Sequence, residues 1–389
     1  MSTPAEPAAS ATPTHREAIE RLRALLEQPP AARTDAWASR WRAEHDLIAA
    51  LPPRFGQVLE ALLARLESAA MFGEESCSFS AADLRGDGRL IALNSYENRV
   101  YLVYLEDAEP VVVKFYRPGR WSDEQIHEEH RFVTELAHED IPAVAPIVLG
   151  GQALNAHAGF RFAVYPRRGG RAPELDQPGV LEWIGRFIAR IHSVGARSAF
   201  QHREAADVAT LGREPRDALL SGQLIPAELQ PRWEGLANAA INAAEAAFAR
   251  TGAAPGARIR LHGDCHPGNL LWTDAGPHFV DFDDARTGPA VQDLWMLLSG
   301  ERAERAAQLG RLLEGYQQVR DFNRTELALI EPLRTLRLIH YSAWIARRWN
   351  DPAFPAAFPW FGTPRYWQDR IAELSEQLEA MAEPPLDLY

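Results

Sequence analysis

The chain has 389 residues, 46% of them hydrophobic, and a formal charge of −12 at pH 7. That length exceeds one small core and predicts roughly two or three domains. The acidic balance argues against nucleic acid as a partner, and no run of about 18 apolar residues offers a membrane span.

The N-terminus, MSTPAEPAASATPTHRE, lacks a basic n-region and an apolar h-region, which argues against secretion. Cys77 and Cys265 are the two cysteines, with no CxxC and no metal spacing, and this fits a reducing cytoplasm. Residues 1–15 are mostly Ala, Pro, Ser and Thr and read as disordered. Arg16 to Glu27, Thr34 to Ala50 and Arg54 to Ala70 read as amphipathic helices separated by Pro29-Pro30 and Pro52-Pro53. They form either an appendage or a regulatory or docking module. Gly86-Asp87-Gly88 is a turn.

A β-hairpin is predicted next: Leu90 to Leu93, a loop Asn94-Ser95-Tyr96-Glu97-Asn98, and Arg99 to Tyr104. The strand Pro110-Val111-Val112-Val113 ends in Lys114. Of the 41 basic residues, Lys114 is the single lysine. Arginine is a planar fork and lysine a compact charge on a flexible stem, so one surviving lysine marks a site where the exchange fails. Asp123 to Leu136 is a helix capped by Ser122. Ile126, His130, Val133 and Ala137 share its inward face; Glu129 borders that face and Glu128 points away.

Val144 to Val148 and Phe160 to Tyr165 read as further strands. Arg167 to Arg171 is either an anion-binding loop or a solvated basic one. Val180 to Val194 is a core helix ending near His192, read as a satisfied structural histidine. Pro231 to Ala249 is a long Ala-rich helix with proline in its first turn. Later helices are expected from Gln292, over Glu326 to Arg348 and over Tyr366 to Ala382. Pro352 to Trp360 is a lid or packing segment.

The stretch Leu261 to Asp284, LHGDCHPGNLLWTDAGPHFVDFDD, carries the chemistry. It reads as strand, acidic loop, strand, second acidic loop. Such a hairpin gathers Asp264, Asn269 and Asp281. Two carboxylates and an amide oxygen make a hard-oxygen site suited to Mg²⁺, with one carboxylate left to orient a substrate hydroxyl. His266 either touches the reacting groups or is structural. A zinc site from His262, Asp264 and His266 would leave Asn269, Asp281 and Lys114 unexplained, and the carboxylates near Cys265 oppose the thiolate that a nucleophile there would need.

HGDxHxxN followed by DFxDA resembles the aminoglycoside phosphotransferase and choline kinase branch of the protein-kinase-like superfamily, with Asp281-Phe282-Asp283 in place of Asp-Phe-Gly. LNSYENRVY, VVKFYRP, LHGDCHPGN and GPAVQDLWMLL together resemble the bacterial stress response kinase A family of cytoplasmic Ser/Thr protein kinases. The resemblance runs from about residue 90 onward.

It implies an α+β, bilobal protein-kinase-like fold: a small antiparallel β N-lobe (81–165), a mainly helical C-lobe (166–389) and an extra helical N-terminal segment (1–80). It implies an ATP- and Mg²⁺-dependent kinase, monomeric, with a Ser/Thr protein acceptor. Asp264 and Asp281 would be the catalytic carboxylates, Asp264 toward the acceptor hydroxyl, and Asn269 and Asp281 the metal ligands. Lys114 would contact the ATP phosphates, paired with Glu129. Ser95 would lie near the phosphates, in a loop without the usual glycines. Phe162 to Pro166 would pass between the lobes, its backbone reading the adenine edge. His262 and Asp293 would brace the catalytic loop. A small-molecule kinase and an ATP-binding pseudokinase are the alternatives.

Overall fold

The computed structural model describes residues 90–386, apart from 94, 106–107, 158 and 252–257. The expected N-terminal helices, the disordered stretch before them and the turn at residues 86–88 lie outside the described residues.

β-branched and aromatic runs form the first layer. Strands β1 (Leu90–Leu93), β2 (Arg99–Leu105) and β3 (Ala108–Phe115) are joined by β4 (Asn155–His157) and β5 (Phe160–Pro166) in one antiparallel sheet of order β1-β2-β3-β5-β4. Register sets Lys114 opposite Val100 on one side and Ala163 on the other, so the lysine stands in the middle of the sheet. The expected strand at Val144 to Val148 does not form. Pro146 interrupts it, and the Ile147 N–H alone reaches the sheet, donating to Val164 O at 2.7 Å.

Helix α1 (Asp123–His138) shares a core cluster with the sheet through Ile126 and Ala163. Ser122 and Gln125 close a full capping box, and Asp123 and Glu124 occupy the positive first turn. Ile126, Phe132, Val133 and Leu136 bury one face. Glu128 departs from expectation: it is buried. Its carboxylate accepts from the backbone N–H groups of Gln201, His202 and Arg203 at 2.6, 2.9 and 3.0 Å. Three donors compensate its desolvation and tie α1 to the loop following the next helix.

The remaining described residues are mainly helical. Helix α2 (Val180–Gly195) buries Leu181, Ile184, Ile188 and Ile191. Helices α3 (Glu214–Ser221) and α4 (Gln230–Arg250) follow. Next come β6 (Ile259–Leu261), the hairpin β7 (Leu270–Thr273) with β8 (Gly276–Phe279), and β9 (Arg286–Gly288), which pairs with β6. Helix α5 (Gln292–Trp295) is a single turn, shorter than the apolar run suggests. Helix α6 (Arg302–Tyr316) crosses α2 at backbone contact. A Cβ on Gly185 would lie 2.1 Å from Leu312 O, and one on Gly315 would lie 1.9 Å from Glu182 O.

The expected helix from Glu326 to Arg348 is divided. A 3-10 turn, Arg324–Leu329, precedes α7 (Ile330–Ala346), whose Pro332 sits in the first turn. The PAFPAAFPW segment holds a short helix, α8 (Ala353–Ala357), with Phe354 buried against Trp344 at 5.1 Å between ring centroids. This is packing. Helix α9 (Pro364–Ala382) closes against α4 through Trp367 and Trp233. Among the described residues, no helix is long and apolar enough to cross a membrane.

Candidate active site

β6 delivers His262-Gly263-Asp264 to the end of the core. Gly263 has φ 86°, and a Cβ there would fall 2.0 Å from Asp284 O, so the turn admits glycine alone. Asp293 braces this turn from α5. Its carboxylate accepts from His262 N and Gly263 N, both at 2.8 Å, and meets His192 Nε2 at 3.1 Å. His192 Nδ1 is 2.9 Å from the Tyr316 hydroxyl, so this histidine is structural. His262 donates from Nε2 to Val280 O at 2.9 Å, and its Nδ1 accepts from Asp264 N at 3.4 Å. One buried ring thus ties the HGD turn to the β7–β8 hairpin.

The hairpin register, Leu270 opposite Phe279, continues outward. Val280 N donates to Asn269 O at 3.1 Å, and Asp281 follows. Asn269 Nδ2 donates to Asp264 O at 2.9 Å, which leaves its Oδ1 for a ligand. Asp281 takes a left-handed backbone, φ 58° and ψ 66°, sparsely populated for a non-glycine residue and common at functional sites. Its side chain is 51% exposed, so a carboxylate oxygen faces the cleft.

Asn269 and Asp281 therefore supply two oxygen donors at one hairpin end. That set fits Mg²⁺, which takes few protein ligands and completes its shell with phosphate and water. Among the described residues, no three His, Cys, Asp or Glu side chains form a metal cage. The zinc alternative also fails on His262, whose two ring nitrogens are both engaged. His266 Nδ1 accepts from Gly268 N at 3.0 Å, and its Nε2 lies 3.5 Å from Asp264. Cys265 is buried, and burial beside Asp293 and Asp264 pushes its thiol up, away from a thiolate nucleophile.

Lys114 Nζ stands 3.0 Å from Asp281 Oδ1, 2.9 Å from Asp283 Oδ1 and 4.0 Å from Glu129 Oε1. Burial works against its charge, but the three carboxylates outweigh burial and hold its pKa well above the ordinary value. Burial drives the Glu129 carboxyl up, offset in part by Lys114 and Arg203. Lys114→Arg is expected to lower kcat/KM for ATP by about 10²-fold and to destabilise the fold by roughly 1–3 kcal/mol, because the larger fork overpacks a filled site. Steady-state kinetics and a denaturant midpoint check both; wild-type values for both would refute the steric argument.

Ser95 sits in the β1–β2 loop, where its Oγ accepts from Asn98 N at 3.3 Å. That loop reaches the site through Asn98, whose Nδ2 donates to Asp283 Oδ2 at 3.1 Å.

Four other residues of the site are not visible from sequence spacing. Asp283 is buried between Lys114 and Arg120, and these cations, against desolvation, hold its carboxyl well below the usual range. Its place in the DFDD segment was the one available signal. Arg120 also binds Asp284 at 2.9 Å. Glu97 joins the β1–β2 loop to α7, meeting Trp344 Nε1 at 2.7 Å and Arg348 at 2.6 Å. Arg337, from α7, places Nη1 3.0 Å from Asp264 Oδ1.

The Phosphotransferase enzyme family (APH) model matches residues 89–330. Stress response kinase A of Escherichia coli (strain K12) is 46% identical over 305 residues, 78% of this chain and 92% of that protein. This chain belongs to the stress response kinase A family. It is a kinase of the phosphotransferase superfamily. A second relative, named Serine/threonine protein kinase RdoA, from Salmonella typhimurium (strain LT2), is 46% identical over 302 residues, 78% of this chain and 90% of that protein.

Solved structures agree on the bilobal kinase-like fold. Amicoumacin kinase hAmiN, in complex with AMP-PNP, Ca²⁺ and Ami, aligns with a TM-score of 0.61 at 18% identity, covering 78% of this chain and 91% of that one. A microcompartment-associated aminopropanol kinase aligns with a TM-score of 0.57 at 19% identity, covering 77% and 94%. Family membership implies use of a nucleotide and a divalent metal, in keeping with the donor set above.

Proposed function

We propose that this kinase transfers the γ-phosphoryl group of ATP to a serine or threonine hydroxyl of a protein, as part of a stress response in the cytoplasm. The observation that carries the protein acceptor is the similarity, over nearly the full length of that relative, to the protein named Serine/threonine protein kinase RdoA. The geometry supports the transfer chemistry. The buried free thiol of Cys265 suits a reducing compartment.

In this reading Lys114 binds the α- and β-phosphates. It exchanges its contact with Asp281 for phosphate oxygens while Glu129 and Asp283 keep it charged and placed. Asn269 Oδ1 and the Asp281 carboxylate would hold Mg²⁺. The ion, when bound, neutralises charge on the transferring phosphates. The amides and hydroxyl of the Ser95 loop cover the phosphates.

Asp264 orients the acceptor hydroxyl and accepts its proton as the oxygen attacks the γ-phosphorus in line. The bond from that phosphorus to the β–γ bridging oxygen breaks, and ADP leaves with the bridging electrons. Burial raises the Asp264 carboxyl, but the His266 contact and Arg337 outweigh it. The group therefore titrates below its ordinary value and is ionised at neutral pH. Asp293 and His262 act by positioning, since both bind the backbone of the HGD turn.

Phosphoryl transfer from γ-labelled Mg-ATP tests this. Wild type and Asp264→Ala are run with a generic Ser/Thr protein acceptor and with a panel of amino-sugars and amino-alcohols. Label on protein, lost in the variant, is the expected outcome. Label confined to a small molecule would overturn the protein acceptor. Equal labelling by the variant would overturn the role of Asp264.

A further inference from the structure

Beyond Asp264 the cleft has a charge pattern that phosphoryl transfer itself does not use. A cavity of about 650 Å³ opens there. One wall is a single face of α7 and its C-cap, on which Leu333, Arg337, His340, Trp344 and Arg347 recur at three- and four-residue spacing. Six arginines and four carboxylates line the cavity. Four of the arginines are neutralised within the protein. Arg117 meets Asp351 at 2.8 Å, Arg286 meets Asp284 at 3.0 Å, Arg348 meets Glu97 at 2.6 Å, and Arg120 is held by Asp283 and Asp284.

Arg337 and Arg347 differ. The Arg337 side chain is 44% exposed, and its one carboxylate partner among the described residues is Asp264. Arg347 is exposed and lines the cavity, and its guanidinium has no hydrogen-bond or ion-pair partner among the described residues. His340 between them adds no charge at neutral pH, because burial, helped by Arg286, lowers its pKa to about 3. The opposing acid is Glu204, exposed at the rim.

We infer that this face of α7 selects an acidic peptide as the phosphoacceptor, with Arg337 and Arg347 as specificity-determining residues. The inference rests on the protein-acceptor reading above. A guanidinium carries five donors in a fixed fork, and Arg337 commits one of them to Asp264. A carboxylate beside the acceptor residue takes the free donors. As it draws Arg337 toward itself, Asp264 Oδ1 becomes available to the incoming hydroxyl.

Arg347, the C-cap of α7, lies ten positions beyond Arg337, about 15 Å along the helix axis. An extended peptide covers that span in roughly four or five residues. A second acidic residue at that distance from the acceptor therefore reaches Arg347. An amino-sugar or a choline-like acceptor would instead meet like charge at both positions.

The test uses the full chain, Mg-ATP and single-serine peptides that differ in two places: next to the serine and four to five residues beyond it. Those places carry Glu, Ala or Lys. Wild type is expected to favour the Glu peptide over the Lys peptide by about tenfold in kcat/KM, mostly through KM. In Arg347→Glu the preference at the distal place should invert, so that a distal Lys is favoured over a distal Glu. A lost contact without charge recognition would not produce that inversion. Equal use by wild type of the Glu, Ala and Lys peptides at both places, or a distal preference that survives Arg347→Glu, would overturn the inference while leaving protein phosphorylation intact. Absence of label on every peptide and on the generic protein acceptor would overturn the protein-acceptor reading, and this inference with it.

Discussion

Asp264→Asn is expected to lower kcat by about 10²–10⁴-fold, the range for loss of a positioned proton acceptor, while KM for ATP stays within roughly threefold of wild type. Asparagine keeps the size of the side chain and can still meet Arg337, so the loss isolates the carboxylate charge. Lys114, Asn269 and Asp281, the residues proposed to hold the nucleotide and its metal, are untouched. The pH dependence follows from the direction of the Asp264 shift. A carboxyl held below its ordinary value of 3.8 stays ionised across neutral and mildly acidic pH. Wild-type kcat/KM, which reports the free enzyme, should therefore show no acidic limb from this group between about pH 5 and 8. Stopped-time assays with labelled ATP across that range check both points. A loss of less than about tenfold in Asp264→Asn would move the acceptor function elsewhere in the cleft.

Asp293→Ala is expected to cost about 3–5 kcal/mol of stability and to lower kcat as well. The carboxylate is 1% exposed and receives His262 N, Gly263 N and His192 Nε2. Alanine leaves those buried donors facing a void, and each unsatisfied donor costs roughly 1–3 kcal/mol. The HGD turn then loses the clamp that aims Asp264. Asp293→Asn, which retains one acceptor oxygen, should fall between wild type and Ala in urea midpoint. A shift in Asp293→Ala worth less than about 1 kcal/mol would mean that the turn holds itself.

The parts that could be read from the amino-acid order share a physical character: they are local. Asp264, Asn269 and Asp281 lie within eighteen residues of one another, bridged by a short hairpin whose register brings the ends together. The β1–β2 hairpin, the Ser122-capped helix and the apolar stripe of α2 likewise follow from short-range rules of turn, cap and period. Lys114 stood out through composition, since one lysine among forty arginines marks a place where the two differ.

Where local rules misled, a distant partner decided. Glu128 appears on the outer side of α1 by helical spacing, yet three backbone N–H groups 73 to 75 residues away bury it. The valines before and after Pro146 suggest a strand, but the sheet edge is taken by β4 instead.

By itself, then, the sequence determined the kinase class and the family to which the chain belongs, and it singled out the HGD turn, Asn269 and Asp281 at one hairpin end, and Lys114. Tertiary structure alone decided how that chemistry is held and what it faces. Asp283 between Lys114 and Arg120, Glu97 against Trp344 and Arg348, and Arg337 on Asp264 each join elements far apart in the chain. Charge interactions fall with distance in space and not along the chain. A pairing such as Arg337 with Asp264, 73 residues apart, exists only once packing has set α7 beside the HGD turn.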